Sequence, residues 1–264
     1  LMLSTPDFDL LDYFQNQIKP RHIILIDPDS QSSFEAANRC VASIRAGSKM
    51  IFVGGSTGTD DNNVDETVIA IKSALKKESH NSSKSDMWNI PVVLFPACAN
   101  AFSSSADGIT FMMLMNSSST KFLIEEQLIG APAVKSADVI PISMGYVVCE
   151  PGGKVGEIGK ANLIKPHQVE LMTSYAICAE YFGFSLLYLE AGSGAQHPVS
   201  PTLIKAAKAA CNLTIIVGGG IRDGNSAKKA IEAGADWIVT GNLTEQYEDH
   251  QLLQEILNDL IKKM

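Results

Sequence analysis

The chain has 264 residues, 45% of them hydrophobic, a length that fits one αβ barrel of roughly 250 residues better than two domains, so residues 1–264 are read as one domain. Its formal net charge of −8 and the lack of a basic patch argue against nucleic acid as a partner, and an anionic ligand must be held by local groups. Cys40, Cys98, Cys149, Cys178 and Cys211 are dispersed without zinc spacing, no apolar run is long enough to cross a bilayer, and no signal-peptide pattern opens the chain, so a cytoplasmic protein is expected.

Residues 5–18 predict an amphipathic helix that covers the bottom of the barrel. Thr5-Pro6 supplies a cap and a first-turn proline, and Phe8, Leu11 and Phe14 or Gln15 recur at helical spacing. A first strand, 22–26, ends in Asp27-Pro28-Asp29. Acidic residues at the C-terminal end of a barrel strand lie on the catalytic face. Asp27 directly follows the apolar run and is expected in the mouth. Asp29 suits either the site or the cap of the helix predicted over 33–46. A second strand, 49–53, ends in Gly54-Gly55-Ser56-Thr57-Gly58, small and hydroxyl residues suited to phosphate or metal. A helix over 64–78 follows. The polar stretch 80–89 lies on the far side of the barrel and is expected to be non-catalytic and mobile.

The third and fourth strands are predicted at 91–95 and 109–115. Only PACANAFSSSADG (96–108) separates them, where a regular barrel places a helix of about three turns. The third helix is therefore expected to be missing or reduced. That opens one flank of the mouth, with an apolar wall of Phe95, Phe102, Phe111, Met113 and Met115 that suits a long hydrophobic ligand; the same residues also suit a plain core.

A helix over 118–134 leads to a fifth strand at 139–144, with Tyr146 just beyond. The stretch 149–164 carries four glycines, two lysines and two glutamates. A loop this long on the catalytic face predicts a lid or binding loop. Its cations, Lys154 and Lys160, are either phosphate contacts or solvated. After a helix over 166–182, a sixth strand (185–189) leads into Tyr188-Leu189-Glu190-Ala191-Gly192-Ser193-Gly194. Tyr188 and Glu190 share a face, and Glu190 suits a general base or a hydroxyl-binding group. A helix over 200–210 follows His197-Pro198.

Residues 214–242 form a βαβ unit. A β-branched strand (214–217) ends in Gly218-Gly219-Gly220, a helix spans 225–233, and a strand (237–240) ends in Gly241-Asn242. Bare backbone after the last two strands of a barrel is a place to hold phosphate, because main-chain N–H groups approach an anion without a Cβ in the way. A closing helix spans 251–264. The expected class is α/β, a (β/α)₈ TIM barrel with one helix gap.

Five motifs, IDPD (26–29), GGSTG (54–58), YLEAGSG (188–194), VGGGIRD (217–223) and TGN (240–242), together resemble the geranylgeranylglyceryl phosphate synthase family, which includes the bacterial heptaprenylglyceryl phosphate synthases. The resemblance runs along nearly the whole chain, with YLEAGSG its most specific part. It implies transfer of a prenyl group from a polyprenyl diphosphate to the 3-hydroxyl of sn-glycerol 1-phosphate, with Mg²⁺ as cofactor and a TIM barrel without a regular third helix. It implies metal positions at Asp27 and Ser56. It implies glycerol phosphate contacts from Tyr188, Leu189, Glu190, Ala191, Gly192, Ser193, Gly194, Gly219, Gly220, Gly241 and Asn242. Within it, Tyr188 and Glu190 orient the acceptor hydroxyls, Glu190 helps remove the proton, Mg²⁺ on Asp27 meets the diphosphate, and Asp29 helps position metal or substrate. Some members carry lysine where this chain has Leu25, so one phosphate contact is either absent or supplied elsewhere, for example by Lys160. The prenyl-binding residues of 96–105 stay unassigned, and the donor is a C20 chain, with C35 as the alternative. A homo-oligomer and peripheral membrane contact for product release are further expectations. A flavin-dependent oxidoreductase, a lyase or a non-catalytic phosphate sensor on the same scaffold are the rival readings.

Overall fold

A computed structural model describes residues 9–16 and 18–264. Thr5-Pro6 and Phe8 lie outside the described residues. Eight strands, β1 (Arg21–Ile26), β2 (Met50–Val53), β3 (Val92–Leu94), β4 (Gly108–Leu114), β5 (Ile140–Val148), β6 (Leu186–Glu190), β7 (Thr214–Gly218) and β8 (Trp237–Thr240), close into one barrel. Each is parallel to its neighbours, and β8 returns to β1 through the pairs Arg21 with Trp237 and Ile24 with Thr240. The helices are α1 (Leu10–Gln15), α2 (Ser33–Ala46), α3 (Asp61–Asn81), α4 (Glu126–Ala137), α5 (Gly153–Ile158), α6 (Val169–Tyr181), α7 (Pro201–Ala210), α8 (Gly224–Glu232), α9 (Asn242–Glu245) and α10 (His250–Lys263). Among the described residues no helix is long and apolar enough to cross a membrane.

β2, β6, β7 and β8 are short, mainly apolar runs buried on both faces, as a parallel sheet wrapped in helices requires. Polar caps set the helix starts. The Ser32 hydroxyl, not Asp29, accepts from Glu35 N–H at the head of α2. Asp60 and Asn63 form a reciprocal capping box that starts α3 at Asp61, ahead of the predicted Val64. Trp88, at the end of the 80–89 stretch, is buried and lies under the Arg45 guanidinium, which anchors that end of the stretch to the core.

The barrel interior holds an aromatic column. Phe14 of α1 contacts Trp237 and Phe52, Phe52 stacks on Phe95 at 5.2 Å between centroids, and Phe95 meets Tyr188 at 5.2 Å and Tyr146 at 5.8 Å. Each such pair contributes about 0.5–1.5 kcal/mol beyond area burial. The Trp237 indole N–H donates to Phe14 O, so α1 plugs the N-terminal end of the barrel. Leu10 and Phe14 form its buried face, whereas Leu11 is half-buried and Gln15 exposed. Outside the barrel, buried His22 on β1 bonds Ser48 Oγ at 2.8 Å and Thr240 Oγ1 at 2.9 Å, and burial lowers its pKa to about 3.

Between β3 and β4 the chain forms turns and no helix, as the short spacer predicts. Side chains of the flanking helices hold this strap in place. Asp61 accepts from Phe102 N–H, Asp65 from Ser103 Oγ, and Glu126 from Ala99 N–H at 2.7 Å. Lys72 donates to Ser105 O and to buried Asp107, which also accepts from Val92 N–H.

Candidate active site

The C-terminal ends of the strands surround a cavity of about 470 Å³. Asp27, Gly54, Gly55 and Ser56 line one side, and Ser193, Gly194, Gly219, Gly220, Gly241 and Asn242 the other, with Tyr188 and Glu190 at the floor between them. The cavity continues beneath the strap, past Phe95, Ala99 and Phe102, against Ile109, Phe111 and Met112 of β4 and Phe122, Gly130 and Val134 around α4. The missing helix therefore leaves an apolar groove opening onto the mouth. Met113 and Met115, placed on this wall by the sequence, do not line it; Met112 and Leu114 do.

Glu190 is buried. Gly192 N–H and the hydroxyls of Tyr188 and Tyr146 donate to its carboxyl, with Tyr146 Oη at 3.4 Å, while Ala191 N–H is taken by Gly218 O. Burial nevertheless outweighs these bonds and raises its pKa. Burial, then the neighbouring Glu190, pushes both phenols far up, so they serve as neutral donors. Tyr146 falls inside β5, not beyond its end, and so joins the site. A raised carboxyl on a cavity floor, fed by two phenols, is equipped to take a proton from a bound hydroxyl.

The YLEAGSG segment divides by strand parity. Tyr188 and Glu190 face the cavity, while Leu189 and Ala191 are buried in the layer between strands and helices, so their side chains are not contacts. Gly192 is absent from the lining, and its N–H donates to Glu190 Oε1, so it bears on the site through that carboxylate. Ser193 donates to Asn242 across β7, and Asn242 donates to Glu245, tying together the β6 and β8 rims. Gly219 lies between them with φ of 79°, and a Cβ there would sit 2.2 Å from Glu190 Oε1. Arg222, unassigned from sequence, lines this half of the mouth and donates to Gly194 O and Ala195 O, each at 3.0 Å.

On the opposite rim, Asp27 is half-buried. Its Oδ1 accepts from Asp29 N–H at 3.0 Å, and a Cβ on Gly55 would lie 2.2 Å from it. Burial first, then Glu245 and Asp29, raise its pKa against the lowering by Asp29 N–H and Lys154. Among the described residues no cluster of three His, Cys, Asp or Glu side chains forms a metal cage. One carboxylate with excess negative charge around it, plus the Ser56 hydroxyl, fits a hard cation that takes its remaining ligands from water and substrate phosphate, the habit of Mg²⁺. Asp29 does not line the cavity; its carboxylate packs against Gly58.

The 149–164 stretch contains α5, which arches over the mouth. Gly152 N–H donates to Ala191 O, and Gly192 packs so closely on Gly152 that a Cβ there would approach to 2.5 Å. Lys154 on α5 lines the cavity and donates to Thr57 Oγ1 at 2.7 Å, whereas Lys160 lies outside the lining with φ of 49°.

Residues 15–260 match the PcrB family. The chain is 41% identical, over 92% of its length and 93% of the relative's, to a geranylgeranylglyceryl phosphate synthase of Methanococcoides burtonii. It is 42% identical to one from Methanosarcina acetivorans, over 86% of this chain and 87% of the other. Its fold is similar to the crystal structure of (S)-3-O-geranylgeranylglyceryl phosphate synthase from Thermoplasma acidophilum in complex with its substrate sn-glycerol-1-phosphate. The TM-score is 0.87 at 34% identity, with 97% of this chain and 98% of that one covered.

Proposed function

The chain belongs to the PcrB family, and on that footing we propose that it is a prenyltransferase of ether-lipid synthesis, a geranylgeranylglyceryl phosphate synthase. It joins a geranylgeranyl group to the 3-hydroxyl of sn-glycerol 1-phosphate. We take a polyprenyl diphosphate as the donor, with diphosphate as the leaving group. The observation that carries this reading is one continuous cavity in which a buried Glu190 of raised pKa stands between a glycine-rich rim and an apolar groove at the helix-less flank.

The acceptor's phosphate is assigned to the rim of Ser193, Gly194, Gly219, Gly220, Gly241 and Asn242. Tyr188 and Tyr146 hold Glu190 in place by donating to it, and Glu190 in turn accepts the acceptor's 3-hydroxyl and takes its proton as the new C–O bond forms. The prenyl tail lies under the strap. An allylic carbon loses diphosphate readily because the developing cation is delocalised, so positioning and charge neutralisation contribute more than base strength. Asp27 and Ser56 would hold Mg²⁺, which supplies neutralisation of the charge gathering on the departing diphosphate.

The test is turnover of labelled sn-glycerol 1-phosphate with C15, C20, C25 and C35 diphosphates, with and without Mg²⁺. A prenylated glycerol phosphate with C20 preferred is the expected product. No product from any donor would overturn the reading.

A further inference from the structure

Two cations line the cavity, and they lie on opposite sides of it. Arg222 sits by the glycine-rich rim, and Lys154 reaches the rim of Asp27, Ser56 and Thr57 from the arch above. Two phosphate-bearing substrates meet between them. Thr57 adjoins Ser56, so the bond from Lys154 to Thr57 brings the ammonium to the rim that Asp27 and Ser56 line. Its hydrogen-bond partner is a neutral hydroxyl, Thr57 Oγ1, and no described carboxylate pairs with it within 4.0 Å. Exchanging a neutral acceptor for an anion costs that ammonium little, because both are reached from the same place. Position 25, by contrast, lines the same cavity with an apolar leucine. The donor's diphosphate carries more negative charge than one divalent ion cancels, so the rim has a deficit of positive charge that Leu25 leaves unmet.

We propose that Lys154 is the cation of the donor half of the site. It releases Thr57 and binds the diphosphate, and it stabilises the charge that builds there when the allylic C–O bond breaks. This places a leaving-group contact on the arch and not on β1, and it rests on the prenyltransferase reading. The arch is well placed for the task. Gly152 is bonded to Ala191 O at 2.9 Å, and Cys149 pairs with Ile164, so both ends of the arch are tied to the barrel.

The experiment compares the wild type with Lys154→Met, Lys154→Arg and the double variant Leu25→Lys/Lys154→Met. Steady-state kinetics is run separately in geranylgeranyl diphosphate and in sn-glycerol 1-phosphate, and calorimetric titration with inorganic diphosphate is run alongside. Lys154 is exposed, so its replacement leaves folding intact, and melting curves check this. Lys154→Met is expected to lower kcat/KM for the donor about 10²-fold and to weaken inorganic diphosphate by a similar factor, with KM for the acceptor within about threefold. Lys154→Arg should keep most activity, and Leu25→Lys should restore at least tenfold of the loss. Unchanged donor kcat/KM and diphosphate affinity in Lys154→Met would overturn the proposal, as would equal losses for both substrates. A wild type that binds inorganic diphosphate through Lys154 yet never turns over would instead overturn the function.

Discussion

Gly218→Ala probes the floor of the site directly. The backbone at Gly218 does not have positive φ, so alanine is conformationally free there and the effect is steric. Its Cβ would fall 1.9 Å from Tyr188 Oη, 2.8 Å from Cζ and 3.2 Å from Cε1. An ordinary contact of about 3.4 Å requires the hydroxyl to retreat by roughly 1.5 Å. Tyr188 is fully buried between Phe95 and Tyr146, so the ring cannot swing clear and β6 must yield. Overpacking of this kind costs about 1–3 kcal/mol, or roughly 2–12 °C in Tm for a chain of this size. Misplacing the hydroxyl that donates to Glu190 by more than about 1 Å should also lower kcat about 10²-fold. Tyr188→Phe removes the closest of these collisions, leaving the 2.8 Å approach to Cζ, at the expense of that bond. Denaturation of the four proteins of the cycle should therefore show the double variant at least about 1 kcal/mol more stable than the sum of the singles. Losses that add within about 0.5 kcal/mol, or a Gly218→Ala enzyme with wild-type turnover, would refute the steric argument.

Glu190→Gln should lower kcat by 10² or more. Because the folded Glu190 has a raised pKa, it adds stability below the ordinary carboxylate value that is lost as pH rises through the raised one, and the Gln variant should lack that slope in a pH series of melts. His22 has the opposite sign: with a folded pKa of about 3 against 6.5, stability should fall by up to about 1.4 kcal/mol per unit as pH drops from 6.5 to 3, a slope absent in His22→Gln. Asp27→Ala should abolish Mg²⁺-dependent turnover while leaving acceptor binding within about threefold; a variant that kept full metal-dependent activity would remove Asp27 from the donor half. Glu126→Ala frees Ala99 N–H and loosens the strap, so the ratio of C35 to C20 turnover should rise, measured in a competition assay.

Much of this architecture could be read from residue order. β-branched runs separated by glycine and acidic turns gave the strands to within a few residues, and the short spacer after Phe95 gave the absent helix. Period-two alternation could separate Tyr188 and Glu190 from Leu189, yet a motif transferred whole, as YLEAGSG was, includes Leu189, Ala191 and Gly192, whose surroundings are the helix layer and Glu190 itself. Gly145 interrupts the apolar run and hides the continuation of β5 through Tyr146. Arg222 carried one available signal, its position just after a glycine triplet. Lys154 and Lys160 are indistinguishable in sequence; only the path of the arch decides which one faces the mouth.

The strap between β3 and β4 is held by side-chain bonds from Asp61, Asp65, Lys72 and Glu126, with no helical ladder of its own. A helix would bind every residue of that flank to a single period and would punish insertion or exchange. A tethered coil imposes no such periodicity, and most of its residues answer to a few fixed anchor points. Exchanges between the anchors therefore alter the bore of the groove, while the glycine-rich rim and Glu190, carried by different strands, stay where they are.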